Sequence, residues 1–237
     1  MSDALARIAA LPDDWPLAGS LPPAVLTRLA AHLAARSVRR SAETGTGKST
    51  LLFSHASARH TVFTLDDAGA GDSLRAVRES PLLRRDAVEF VVGPSQRTLP
   101  AYRFVEPLDA VLIDGAHGFP FAQLDYYHLY PHLAPGALLV LDDVHIRAVN
   151  DLFRVLRDDA MFALLEVVRT TAFFARTEAP ALDPLGDGWW LQGYNRRVLP
   201  PLAGLPFAER LKALIPARVK AGFRRRRGSH LAVKGRH

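Results

Sequence analysis

The chain has 237 residues, about half of them apolar, enough to build the core of a sizeable α/β domain. It has no cysteine, which excludes disulfides, thiolate metal sites and a cysteine nucleophile, and no apolar run near the ~20 residues that span a bilayer. The net charge of +6 is lopsided, because residues 208–237 carry ten Lys or Arg against one acid and leave −3 on the other 207. The opening stretch, "MSDALARIAALPDDWPL", lacks a basic segment followed by an apolar one, so no secretory signal is expected and the cytoplasm is the expected compartment.

In chain order, "LPPAVLTRLAAHLAARS" (21–37) places apolar residues at helical spacing after a proline start, and residues 1–36 read as an N-terminal helical segment. The strand expected next, "SVRRSAE" (37–43), is too polar for the centre of a parallel sheet. "SAETGTGKST" (41–50) is a glycine turn, and "KSTLLFSHASA" behind it is helical. "HTVFTLDD" (60–67) is a strand ending in two acids, and "GDSLRAVRESPLL" is helical up to Pro81. Strands follow at "AVEFVVG" (87–93) and "LDAVLIDG" (108–115), then a helix over 121–133 interrupted by Pro131. "PGALLVLDDVH" (135–145) is a turn and a buried strand, and residues 148–159 form a helix. "FALLEVVR" and "TAFFART", rich in β-branched and aromatic residues, suggest a closing antiparallel pair.

Strands alternating with helices predict an α/β fold over residues 37–177: a Rossmann-like, doubly wound, mostly parallel seven-stranded sheet with a closing antiparallel strand. Residues 178–207, rich in Pro and Gly and holding Trp189 and Trp190, read as an ordered extension with a packing role. Residues 208–237 read as a solvated basic tail, whose "RRRR" (224–227) can touch anionic surfaces; no nucleic acid is required, and a homodimer is compatible with the sequence.

The glycine turn admits two readings. Ala42-x-x-x-x-Gly47-Lys48-Ser49 fits a relaxed phosphate loop, in which Lys48 and Ser49 would grip a nucleoside triphosphate. Glu43-x-Gly45-x-Gly47 fits the turn of a Rossmann-type methyltransferase, with Lys48 on the exposed first turn of the helix. The acids separate the two. Ligands of open α/β sheets sit beyond the carboxyl ends of the strands, and here nearly every strand ends in an acid: Glu43, Asp66 with Asp67, Asp114, and Asp142 with Asp143. Asp66 follows the glycine turn at the spacing of a carboxylate that accepts ribose hydroxyls, which a triphosphatase does not need. Asp114, Asp142 and Asp143 can hold one hard cation such as Mg2+, with His117 beside it as a base.

"ETGTGKST", "LIDGAHGFPFAQLDYY" and "PGALLVLDDVH" together resemble the class I S-adenosylmethionine-dependent methyltransferases, with a closer likeness to metal-dependent O-methyltransferases of sugars and natural products. The likeness runs from about residue 38 to 177. It implies that Glu43, Thr44, Gly45, Gly47 and Ser49 face the methionyl part of S-adenosylmethionine. Asp66, with Asp67, would hold the ribose. Ser95 lies in "GPSQ" (93–96), where the adenine is usually lined, though the acid often found there is missing. Asp114 would serve cofactor, metal and catalysis, His117 would be the base, and Asp142 and Asp143 would complete the metal site. The acceptor would be a hydroxyl on a small molecule or sugar, with "FPFAQLDYYHLYPHL" offering aromatics and two histidines to stack on it. His145 can also reach the site. A triphosphatase using Lys48 and Ser49, and a non-catalytic binding protein on the same fold, are the alternative readings.

Overall fold

The computed structural model describes residues 2–16, 20–66 and 73–196. The chain divides into two compact units: residues 1–157 with 161–181, and residues 158–160 with 182–237. In the described part of the second, residues 189–191 and 193–196 form short 3-10 turns, and Trp189 meets Trp190 edge-on at 6.1 Å. The tail at 208–237 lies outside the described residues, as does the end of the Pro/Gly/Trp-rich stretch from 197.

The first unit holds the sheet. Its helices α1 (Ser2–Ala9) and α2 (Pro23–Ala34) precede strand β1 (Arg40–Thr44). Then come α3 (Lys48–Ala56), β2 (Arg59–Thr64), α4 (Ser73–Glu79), β3 (Val88–Val92) and α5 (Ser95–Ala101). The order continues with β4 (Leu108–Ile113), α6 (Phe121–Leu129), β5 (Leu133–Leu141), α7 (Arg147–Asp158), β6 (Phe162–Val168) and β7 (Thr171–Arg176). The seven strands lie in the order β3-β2-β1-β4-β5-β7-β6, the first five parallel and β7 antiparallel to both its neighbours. The expected closing pair is therefore present, with β7 slotted between β5 and the edge strand β6.

Strands buried on both faces need apolar residues at every position rather than alternate ones. Ala110, Leu112, Leu138, Val140 and Phe173 pack into one core with Val25, Leu29 and Leu33 of α2 and Leu51, Leu52 and Phe53 of α3. Their neighbours Val111, Leu139, Leu141 and Phe174 point to the opposite face by strand alternation and are equally buried. In α2 the buried residues recur as Val25, Leu26, Leu29, Ala30 and Leu33, one helical stripe started by Pro22 and Pro23. No helix among the described residues is long and apolar enough to cross a membrane.

The polarity of β1 does not keep it from the centre of the sheet. It lies between β2 and β4, and Ser41 to Thr44 are buried. Buried polar groups are tolerated where they satisfy one another, and most of these do, Glu43 Oε2 and His60 Nε2 being the exceptions. Ser41 Oγ is 2.6 Å from Ser57 Oγ and 2.8 Å from His60 Nδ1. Glu43 accepts from the Thr50 hydroxyl and lies 3.2 Å from His60 Nε2, with both side chains fully buried. The short helix α5 has no apolar stripe to announce it and carries Pro100 in its last turn, one residue before the helix ends.

Candidate active site

Between β1 and β4 the chain order reverses, and the loops that leave the two strand ends diverge to opposite sides. A cavity of about 430 Å³ opens there. One wall is the turn from β1 into α3. Gly45 has φ +97°, and a Cβ on it would stand 2.2 Å from the Asp114 carbonyl oxygen, so only glycine lets β1 and β4 approach this closely. Gly47 is extended, with nothing nearer than 3.9 Å to its own missing Cβ.

The same turn removes the phosphate-loop reading. Such a loop points free backbone N–H groups at its anion. Here the Gly45 N–H donates to the Phe63 carbonyl at 3.0 Å, and the Gly47 N–H to Thr50 Oγ1 at 3.1 Å. Lys48 is not on an exposed turn as expected. It is 1 % exposed, and its ammonium donates to the Leu11 carbonyl at 3.2 Å. Burial pushes its pKa below the ordinary lysine value, against the pull of Asp13 and Asp14.

Of the residues singled out in the sequence, Thr44, Gly45, Gly47, Ser49, Ser95, Asp114, His117 and Asp143 line the cavity. Others do not. Glu43 lies beneath the turn, fully buried and held by Thr50 and His60. Asp66 is exposed beyond the end of β2, while Thr64 and Leu65 before it do line the wall. Asp67 lies outside the described residues.

At the β4 and β5 end of the cavity the ionisable groups converge. His117 Nε2 is 3.1 Å from Asp143 Oδ2 and 3.6 Å from Asp114 Oδ1. His145 Nδ1 approaches the other Asp143 oxygen at 3.5 Å from a more exposed position. Asp143 adopts φ 54°, a left-handed conformation that aspartate tolerates better than most residues. It turns the chain so that Asp143 joins the cluster while Asp142, one residue earlier, does not. Asp142 is 5 % exposed and accepts the Thr171 hydroxyl at 2.5 Å. The expected trio of carboxylates is thereby corrected to Asp114, His117 and Asp143, which can bring one ligand atom each within 4.8 Å of the others.

The electrostatics follow from that crowding. Burial, reinforced by the charges of Asp142 and Asp143, pushes the Asp114 carboxyl up to about 7, with His117 opposing the shift. Asp114, then Asp143 and Asp142, raises the His117 pKa against its own burial. Burial also raises Asp142, though the Thr171 hydroxyl resists this. A group of acids that resists losing its protons is also a group that gains from a bound cation.

Several residues at the site carry little sequence signal. The hydroxyl of Thr46 lines the cavity, buried and without a hydrogen-bond partner. Thr171 holds Asp142 from the start of β7, the strand paired with β5. Asp125 of α6 is fully buried behind the cavity wall. Only Asp125 leaves a trace, as an acid on the face that Phe121 and Leu129 share at a spacing of four.

Comparison with known proteins accords with this geometry. Residues 42–144 match the family model described as a methyltransferase domain. No curated protein matches the chain in sequence. Among solved structures, the O-methyltransferase TomG of Streptomyces achromogenes, in complex with SAM, is similar at 20 % identity and TM-score 0.56, over 74 % of this chain and 90 % of that one. An O-methyltransferase from Bacillus cereus in complex with SAH matches at 16 % identity and TM-score 0.55, over 74 % and 90 %. MycE, a methyltransferase of the mycinamycin pathway, matches at 16 % identity and TM-score 0.50, over 77 % of this chain and 56 % of that one. The strand order and the cleft between β1 and β4 agree with the matched stretch: the fold is the one these methyltransferases share, and residues 42–144 are similar to a methyltransferase domain.

Proposed function

We propose that this protein transfers a methyl group from S-adenosylmethionine to a hydroxyl oxygen of a small-molecule or sugar acceptor. The observation that carries the proposal is the convergence of Asp114, His117 and Asp143 at one end of a cavity whose other wall is the glycine turn. The turn and Thr46 receive the amino-acid part of the cofactor, and Ser95 lies on the opposite rim. With S-adenosylmethionine bound there to supply the sulfonium methyl, His117 would take the proton of the acceptor hydroxyl. The O–CH3 bond forms, the S–CH3 bond breaks, and S-adenosylhomocysteine leaves. Asp114 and Asp143 orient the imidazole and stabilise it once charged.

The same carboxylates fit a divalent cation. Asp114 is strained by its neighbours' charge, Asp143 faces it across His117, and their ligand atoms lie within the span one ion can bridge. Held there, an ion would lower the pKa of an acceptor hydroxyl. MycE, whose structure holds Mg, SAH and mycinamycin VI, supports that part of the reading.

The test begins with thermal unfolding. S-adenosylhomocysteine at a hundredfold excess over its Kd should stabilise the protein by about 2.7 kcal/mol, and ATP with magnesium by much less. With a hydroxyl acceptor found by label transfer from S-adenosylmethionine, His117→Ala should keep cofactor binding and lose turnover by roughly 10²–10⁴-fold. Chelation should abolish the parent's activity. Activity that survives chelation would remove the cation from the proposal while leaving His117 in it; stronger stabilisation by ATP than by S-adenosylhomocysteine would remove the whole.

A further inference from the structure

Asp125 sits in the middle of α6 with 0 % exposure. Neither carboxylate oxygen has a hydrogen-bond partner of normal geometry. An unpaired buried acid is expensive, on the order of several kcal/mol when ionised, and an apolar residue would serve the packing of α6 better. Its surroundings suggest what offsets that expense. A Cβ on Gly115 would come within 3.1 Å of both Asp125 Oδ2 and Thr44 Oγ1, so the carboxylate and the Thr44 hydroxyl lie against the same bare glycine. The Ser95 and Thr44 hydroxyls also face the acid, lowering the pKa that burial raises. Thr44 ends β1, Ser95 opens α5 after β3, and Gly115 begins the loop after β4. All three line the cavity, and Asp125 stands behind them.

We infer that Asp125 is a positioning residue for the ligand of this cavity: from inside α6 its carboxylate sets Thr44 and Ser95 and joins three strand-end loops into one wall. The inference rests on the cavity receiving the adenosyl cofactor, and it assigns that wall a buried acid from a helix rather than one from a strand end. A hydroxyl that gives its proton to a buried carboxylate holds its oxygen in one orientation as an acceptor, Thr44 Oγ1 for the Asp114 N–H at 3.4 Å and Ser95 Oγ for the Gln96 side-chain amide at 3.0 Å. Without the acid the same hydroxyls rotate and the loops lose a shared anchor.

The variant that separates this role from plain packing is Asp125→Asn, which keeps the shape and removes the charge. In the ligand-free protein it should melt at the same temperature as the parent or higher, since a carboxyl whose ionised form burial disfavours is gone. Its Kd for S-adenosylhomocysteine, measured by calorimetry, should be weaker by roughly tenfold or more. Ser95→Ala should also weaken binding, and the double variant should lose little beyond the larger single loss, because both changes break one linkage. An unchanged Kd in Asp125→Asn overturns the inference. So does a melting temperature that falls in step with the affinity, or a variant that does not fold, since each marks Asp125 as structural. Additive losses in the double variant overturn the route through Ser95. If the parent does not bind S-adenosylhomocysteine at all, the methyltransferase reading fails first and takes this inference with it.

Discussion

Asp114 is where the chemistry and the stability of this protein meet. Its folded pKa of about 7 lies above the ordinary 3.8, so folding favours the protonated form. A raised pKa contributes stability that is complete below the ordinary value and is lost as pH rises through the folded one. The His117 shift has the same sign, and Asp114 is its largest cause. Asparagine does not ionise and relieves both. The stability of Asp114→Asn, relative to the parent, should therefore climb between about pH 4 and about pH 8, at up to about 1.4 kcal/mol per pH unit for each proton, and its melting temperature with it. The two groups titrate as a pair, so the climb should be broad. A difference that stays flat across that range would mean that Asp114 ionises freely in the folded protein.

At the scale of the element, the turn from β1 to α3 does its work through one glycine more than the other. Gly45→Ala would force a methyl to within 2.2 Å of the Asp114 carbonyl at φ +97°. It should destabilise by roughly 1–3 kcal/mol or more and abolish binding of S-adenosylhomocysteine, because the displaced atom belongs to the same loop as His117. Gly47→Ala meets only ordinary van der Waals contacts at 3.9 Å and extended backbone and should perturb unfolding much less. Denaturant melts of the two variants check the ranking, and equal effects would contradict it. Both glycines look alike in "TGTGKS"; the approach of β4 to only one of them separates their roles. The polar β1 behind the turn is of the same kind. Its Ser41, Glu43 and Thr44 argue against a central strand until Ser57, His60 and Thr50 are brought beside them from α3, its C-terminal end and β2.

For the whole molecule, the charge asymmetry predicts a separable tail. Removing residues 224–237 should leave the melting temperature and the S-adenosylhomocysteine affinity unchanged, since the basic excess is confined to residues 208–237 of the sequence and the candidate acids all precede residue 144. Binding to anionic vesicles or nucleic acid that weakens with salt and disappears on truncation would give "RRRR" a role of its own.

Much of this protein was legible from the order of its residues. Continuous apolar runs such as "LDAVLID" and "GALLVLDD" mark strands covered on both faces, and their spacing with helices leads to the seven-stranded sheet. Acids at strand ends mark the side on which a ligand sits, because in a parallel sheet all those ends open the same way. These signals are local, set by side-chain period and by the chemistry of single positions. The pairing of charges is not local. Whether Asp142 or His117 stands with Asp114 depends on the left-handed backbone of Asp143 and on Thr171, which arrives from a strand added last to the sheet. Whether Lys48 faces solvent depends on the Leu11 carbonyl, 37 positions earlier. Asp125 gains a role only because α6 carries it behind three loops at once. Residues far apart in the chain become neighbours only through packing, and packing decided which of the candidate acids stand together at the cavity.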